Sequence, residues 1–243
     1  MNNLFLIRKF TIYSKILKQN RNYSLCIPKG FENVNLPILY LLDGGENEKL
    51  YYVLNEVSEL LANNKISPFI IVGIENIDRN YDFTTNTLVR KDRKWVPKFG
   101  NSIRFRKFIT EELINEVESN FQNSIQRSIF GESLGGLFVM DLMYNSPEFF
   151  DQYLVVDPSL WWNNNELLNK FITGNNLFSE NFKLWISASK TVAINRVTDS
   201  FNSWIEDKMS KSNYSYKLDL NETHFTIFKS NFVEIITWSF PYK

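Results

Sequence analysis

The run Pro37-Ile38-Leu39-Tyr40-Leu41-Leu42 is apolar without interruption and stops at Asp43-Gly44-Gly45. A strand with one wet face alternates apolar and polar residues, whereas a strand with no polar position must be covered on both faces. Residues 68–74, Pro-Phe-Ile-Ile-Val-Gly-Ile, repeat the pattern. Between the two, residues 46–62 set Leu50, Val53, Leu54, Val57, Leu60 and Leu61 along one face of a helix. Strand, amphipathic helix, strand is the unit of a parallel sheet flanked by helices. The alternation continues along the chain. Further strands are predicted at residues 128–130, 153–156, 182–186 and 214–220, and helices at 103–121, from Leu134 onward, at 194–209 and at 226–238. Two alternating segments, 7–14 and 22–28, have the pattern of antiparallel strands joined through Gln19-Asn20-Arg21. The expected architecture is α/β: a mostly parallel central sheet with helices on both faces, antiparallel N-terminal strands, and one domain over residues 1–243.

A chain of 243 residues with 44% hydrophobic side chains can bury a core without metals or disulfides. Its 27 basic and 27 acidic side chains cancel, so no electrostatic pull toward nucleic acid or an anionic membrane is expected. Cys26 is the only cysteine, which excludes an intrachain disulfide and a thiolate metal cluster. No stretch approaches membrane-spanning length. The run Leu4-Phe5-Leu6-Ile7 is too short for a secretory signal and is followed at once by Arg8 and Lys9, making cytoplasmic residence the default expectation. Residues 75–103 break the alternation with polar, turn-rich sequence, and a loop of that length inside a compact domain is usually functional or mobile. Its Arg79, Asp82, Arg90, Lys91, Arg93 and Trp95 suit the mouth of a cleft that grasps an acidic or aromatic group.

Gly131-Glu132-Ser133-Leu134-Gly135 matches G-x-S-x-G between a predicted strand and a predicted helix. A serine on a turn that sharp needs small neighbours two residues away, and the following helix aims its N-terminal N–H groups where negative charge forms during acyl transfer. A glycine turn without chemistry is the plain alternative, and the strand–turn–helix setting weighs against it. A serine hydroxyl needs a neighbouring base, and this chain has one histidine, His224, placed after the last predicted strand. Position and chain order make it the candidate general base. A single histidine also argues against histidine-based metal sites, so no metal and no cofactor are expected.

The sequence resembles the esterase family of α/β-hydrolases that includes enterochelin esterases, S-formylglutathione hydrolase (esterase D) and the mycolyltransferases. The resemblance rests on Ser14-Lys15-Ile16-Leu17 through Arg21 and Pro28, on Tyr40-Leu41-Leu42-Asp43-Gly44, on Gly73-Ile74 through Arg79, Tyr81 and Asp82, on the serine elbow, and on Pro158-Ser159-Leu160-Trp161-Trp162. The last run and the Arg/Asp loop favour its siderophore-esterase-like branch. The resemblance implies an α/β-hydrolase fold, a small-molecule ester as partner, oxyanion donors at the amides of Gly45 and Leu134, and substrate contacts at Arg79 and Trp161. It also exposes a departure. The segment Ile186-Ser187-Ala188-Ser189-Lys190, where most hydrolases of this fold carry the triad acid, has none. Either Ser133 and His224 work as a dyad or another carboxylate substitutes, with Asp157 first and Glu222 and Asp199 behind it. Asp157 also has a ready structural job before Pro158, which favours the dyad. Three activities stay open on the sequence: ester hydrolysis through an acyl-enzyme, acyl transfer to an alcohol, and binding without turnover.

Overall fold

The computed structural model describes residues 4–120, 125–174 and 182–242. Its strands are β1 (Phe5–Ser14), β2 (Gln19–Pro28), β3 (Ile38–Leu41), β4 (Ile70–Ile74), β5 (Arg127–Glu132), β6 (Gln152–Val156), β7 (Lys183–Ser189) and β8 (Tyr214–Asp219). Its α-helices are α1 (Leu50–Ala62), α2 (Arg79–Phe83), α3 (Arg90–Trp95), α4 (Ser102–Lys107), α5 (Ile114–Asn120), α6 (Leu134–Asn145), α7 (Trp162–Thr173), α8 (Val192–Ile205) and α9 (Ile227–Ser239). The eight strands run in the order β1-β2-β4-β3-β5-β6-β7-β8. The β1/β2 and β2/β4 pairs are antiparallel, while β3/β4, β6/β7 and β7/β8 are parallel. This is the mostly parallel sheet with an antiparallel N-terminal edge that the apolar patterning predicts.

The chain divides into two compact units, one of Met1–Ile77, Arg104–Ile129 and Phe232–Lys243, the other of Asp78–Ile103 and Phe130–Asn231. In the first, every residue of β3 and β4 is buried, as uninterrupted apolar runs require. Helix α1 turns Leu50, Val53, Leu54 and Val57 inward and leaves Leu60 and Leu61 half-buried. It opens at Leu50 rather than at residue 46 because the preceding residues close on themselves: Lys49 N–H donates to the Asp43 carbonyl at 2.9 Å and Glu48 N–H to that of Gly45 at 3.0 Å. Gly44 is indispensable there, since a Cβ on it would stand 2.6 Å from Gly73 Cα and 2.7 Å from the Ile74 nitrogen. The N-terminal hairpin departs from expectation. Its turn lies at residues 15–18, with Lys18 at φ +57°, and Gln19-Asn20-Arg21 already belong to β2. The side chain that decides this is Arg21, which is buried with its guanidinium 5.0 Å from the Phe105 ring centroid and so cannot occupy an exposed turn. The helix predicted over 103–121 forms as α4 and α5 with a π-turn at Phe108–Leu113 between them; Phe121 lies outside the described residues.

In the second unit, β6 is buried at all five positions and β7 at all but its first. The outer strand β8 is at most half-buried. Helix α8 turns Ile194, Thr198, Phe201 and Ile205 inward. The stretch read as an irregular loop carries two short helices, α2 and α3. Helix α7 has no counterpart in the sequence reading, because its opening Asn163-Asn164-Asn165 has loop-like composition. These three residues are left-handed, at φ +50°, +55° and +61°, a region asparagine tolerates better than most residues. Among the described residues, no helix is long and apolar enough to cross a membrane.

Candidate active site

Ser133 sits between β5 and α6 at φ +58°, ψ −119°, a conformation unfavourable for any residue with a side chain. The glycine spacing explains how the turn closes. A Cβ on Gly131 would lie 2.4 Å from the Gly135 carbonyl oxygen and 2.8 Å from Val139 Cγ2. Backbone bonds clamp the strained residue: Ser133 N–H donates to the Val156 carbonyl at 3.0 Å, and its own carbonyl accepts from Leu137 N–H at 2.9 Å and Ser159 N–H at 3.0 Å. The hydroxyl thereby projects from the turn and not into the helix.

His224 reaches that hydroxyl. Its Nε2 is 3.0 Å from Ser133 Oγ, and its Nδ1 is 2.6 Å from Asp157 Oδ2. Asp157 follows the last residue of β6 in a left-handed conformation at φ +47°, is wholly buried, and donates its N–H to the Ser187 carbonyl at 2.7 Å. Ser189 completes the carboxylate's shell, giving its N–H to Oδ1 at 2.7 Å and its hydroxyl to Oδ2 at 2.9 Å. The segment that lacks an acid thus supplies donors that hold an acid from the neighbouring strand. The dyad preference drawn from the sequence does not match this geometry, because Asp157 has an imidazole partner as well as a turn. Of the other two candidates, Asp199 is engaged elsewhere. Asp199 accepts from the Tyr216 hydroxyl. Burial first, then that bond to Asp199, holds the Tyr216 phenol well above its ordinary range. Glu222 meets Lys190 through its backbone carbonyl, 3.0 Å from the Lys190 N–H, which ties the histidine loop to the end of β7.

Ser133 and His224 open onto a cleft of about 860 Å³, within the size range of small-molecule sites. Leu134, the first residue of α6, lines it beside Ser133, and an N–H at that position has no partner within the helix. Arg79 and Trp161 line it too, as do Lys91, Trp95 and Phe225. Arg79 is also tied down, donating through Nη2 to the Glu132 carbonyl at 3.0 Å with its guanidinium 5.4 Å from the Phe83 ring centroid. Gly45, the other expected oxyanion donor, belongs to the first unit, where its N–H donates to Glu48 Oε2 at 2.6 Å. Sequence alone does not single out Ser159 and Ser189. Ser159 stands inside the Pro-Ser-Leu-Trp-Trp run, and that run was the available signal for it. Among the described residues, no group of three or more His, Cys, Asp and Glu side chains is placed to hold a metal ion.

The family model described as "Putative esterase" matches residues 14–220. The ferri-bacillibactin esterase BesA of Bacillus subtilis is 32% identical over 173 residues, which are 63% of this chain and 58% of that protein. The apo-salmochelin esterase of Escherichia coli O6:H1 is 28% identical over 217 residues, 84% of this chain and 63% of that protein. The chain therefore spans less than two thirds of the length of either relative. A crystal structure of the BES protein from Bacillus cereus superposes with a TM-score of 0.78 at 23% identity, covering 99% of this chain and 97% of that one. That likeness establishes the fold as the one these esterases share, the α/β-hydrolase fold.

Proposed function

Because this chain belongs to the Esterase family over residues 14–220, we propose that it is a serine carboxylic-ester hydrolase working through an acyl-enzyme. The observation that carries the reading is the continuous relay Ser133 Oγ–His224 Nε2 and His224 Nδ1–Asp157 Oδ2, with separations of 3.0 and 2.6 Å. Ser133 attacks the acyl carbon and His224 takes its proton. Asp157 holds the imidazole with Nδ1 protonated and stabilises the cation that forms. The amide of Leu134, at the helix N-terminus, faces the developing oxyanion. His224 then returns the proton to the leaving alcohol, and water releases the acid by the same steps in reverse order of groups.

The substrate reading is a siderophore-type ester. The relatives named for ferri-bacillibactin and apo-salmochelin support it. So does a cleft that combines Trp95, Trp161 and Phe225 with the cations Arg79 and Lys91, a lining suited to aryl groups carrying negative charge. A fluorophosphonate probe should label the protein at Ser133, and Ser133→Ala should abolish labelling and lower ester turnover by about 10³-fold or more. Turnover of the folded variant within about tenfold of wild type would refute the nucleophile.

A further inference from the structure

Ser159 is 2% exposed, lines the cleft, and places its Oγ 3.4 Å from Ser133 Oγ. Its position is set by backbone: its N–H donates to the Ser133 carbonyl at 3.0 Å and its carbonyl accepts from Trp162 N–H at 3.0 Å. These bonds hold the Ser159 main chain beside Ser133 independently of substrate, with the hydroxyl within reach of the reacting oxygen. Its resting separation exceeds the 2.7–2.8 Å or so at which O–H···O bonds cluster. A donor only loosely engaged at rest gains most when charge grows on its acceptor, and such a gain accelerates a reaction instead of merely tightening a ground state.

We propose that Ser159 is a further catalytic residue, a hydrogen-bond donor to Ser133 Oγ when that oxygen departs from the acyl carbon. The inference rests on Ser133 being the nucleophile. In deacylation, water attacks the acyl carbon and gives its proton to His224 Nε2. The tetrahedral intermediate then collapses: the bond from carbon to Ser133 Oγ breaks, its electron pair stays on Oγ, and Oγ takes the proton from His224 Nε2. Ser159 keeps its own proton throughout and donates a hydrogen bond to the oxygen receiving the electron pair. Acylation starts from the free Ser133 hydroxyl, a better acceptor than the ester oxygen of the acyl-enzyme, so the same bond gains less between ground state and transition state there.

The test is Ser159→Ala with an aryl ester whose release is coloured, the initial burst reporting acylation and the following turnover reporting deacylation. Acylation should stay within about threefold of wild type, while deacylation should slow about tenfold or more, since removing one preorganised donor commonly costs 10²–10³-fold. Fluorophosphonate should still label Ser133, and the thermal melt should be unchanged. Ser159→Cys, with a similar volume and a weaker donor, should fall between the two proteins in deacylation alone. Equal slowing of both steps would assign Ser159 to packing and overturn the proposal, as would deacylation at the wild-type rate. Failure of the wild-type protein to take label at Ser133 would remove the nucleophile itself, a separate and recognisable result.

Discussion

The Asp157 carboxylate carries three donated hydrogen bonds, two from Ser189 and one from the His224 ring, with no exposure to water. An ionised carboxylate is an acceptor only, so each donor is satisfied without conflict. Asp157→Asn would turn one end of that group into a donor. With Oδ1 retained for Ser189 N–H, the new NH₂ faces His224 Nδ1 and forces the wrong ring tautomer, leaving Nε2 unable to accept the serine proton. Turnover of the folded variant should fall by about 10⁴-fold, measured with a chromogenic ester beside a near-unchanged circular dichroism spectrum. A loss of less than about tenfold would restore the dyad. Sequence made two of the three residues plain, because the glycine spacing marks Ser133 and a single histidine leaves no rival to His224. Asp157 was ambiguous for a physical reason. Its partners come 32 and 67 residues later in the chain, and only the closure of β6 beside β7 brings Ser189 and His224 to it.

At the scale of elements, the serine turn and the helix behind it act as one packed piece. Gly131→Ala would push a methyl group to 2.4 Å from the Gly135 carbonyl oxygen, a backbone atom that cannot rotate away. The variant should lose about 1–3 kcal/mol of stability, read by urea unfolding, and activity should fall as the turn opens. Substitution without a shift in the unfolding midpoint would contradict the packing argument. Within β2, Cys26 is wholly buried, and burial pushes its thiol up to about 12. Since the thiolate is the reactive species, iodoacetamide should leave the folded protein unmodified at mild alkaline pH and alkylate it stoichiometrically in denaturant. Where the structure departs from the sequence pattern, tertiary contacts outvote local composition. Asn163-Asn164-Asn165 reads as loop, yet Asp92 fixes it by accepting the Asn163 N–H at 2.7 Å, and α7 continues from there. Gln19-Asn20-Arg21 reads as turn, yet the ladder from Phe5↔Pro28 to Ser14↔Gln19 absorbs it. Buried strands were legible throughout, because an uninterrupted apolar run has one stable destination.

For the molecule as a whole, equal numbers of acidic and basic side chains leave no net field to draw in a charged substrate. Any preference for an anionic ester must then come from charges at the cleft itself, and Arg79 and Lys91 are the cations that line it. Arg79 has two roles to separate. One arm holds the carbonyl of Glu132, the residue before Ser133, and the planar guanidinium also lies over Phe83. If its charge recognises substrate, Arg79→Ala should raise KM for an anionic aryl ester by about tenfold or more, the scale of one charge-assisted hydrogen bond, and leave KM for a neutral ester of equal size nearly unchanged. The difference should shrink at high ionic strength, because screening weakens partly exposed charges. Arg79→Lys should recover part of the KM difference but none of the planar stacking on Phe83. If Arg79 serves only the serine turn, kcat should fall alike for both esters, and the lysine variant should fare no better than alanine. Steady-state kinetics on the matched ester pair, at low and high salt, separates the two: an effect confined to kcat and indifferent to substrate charge would remove Arg79 from the substrate contacts.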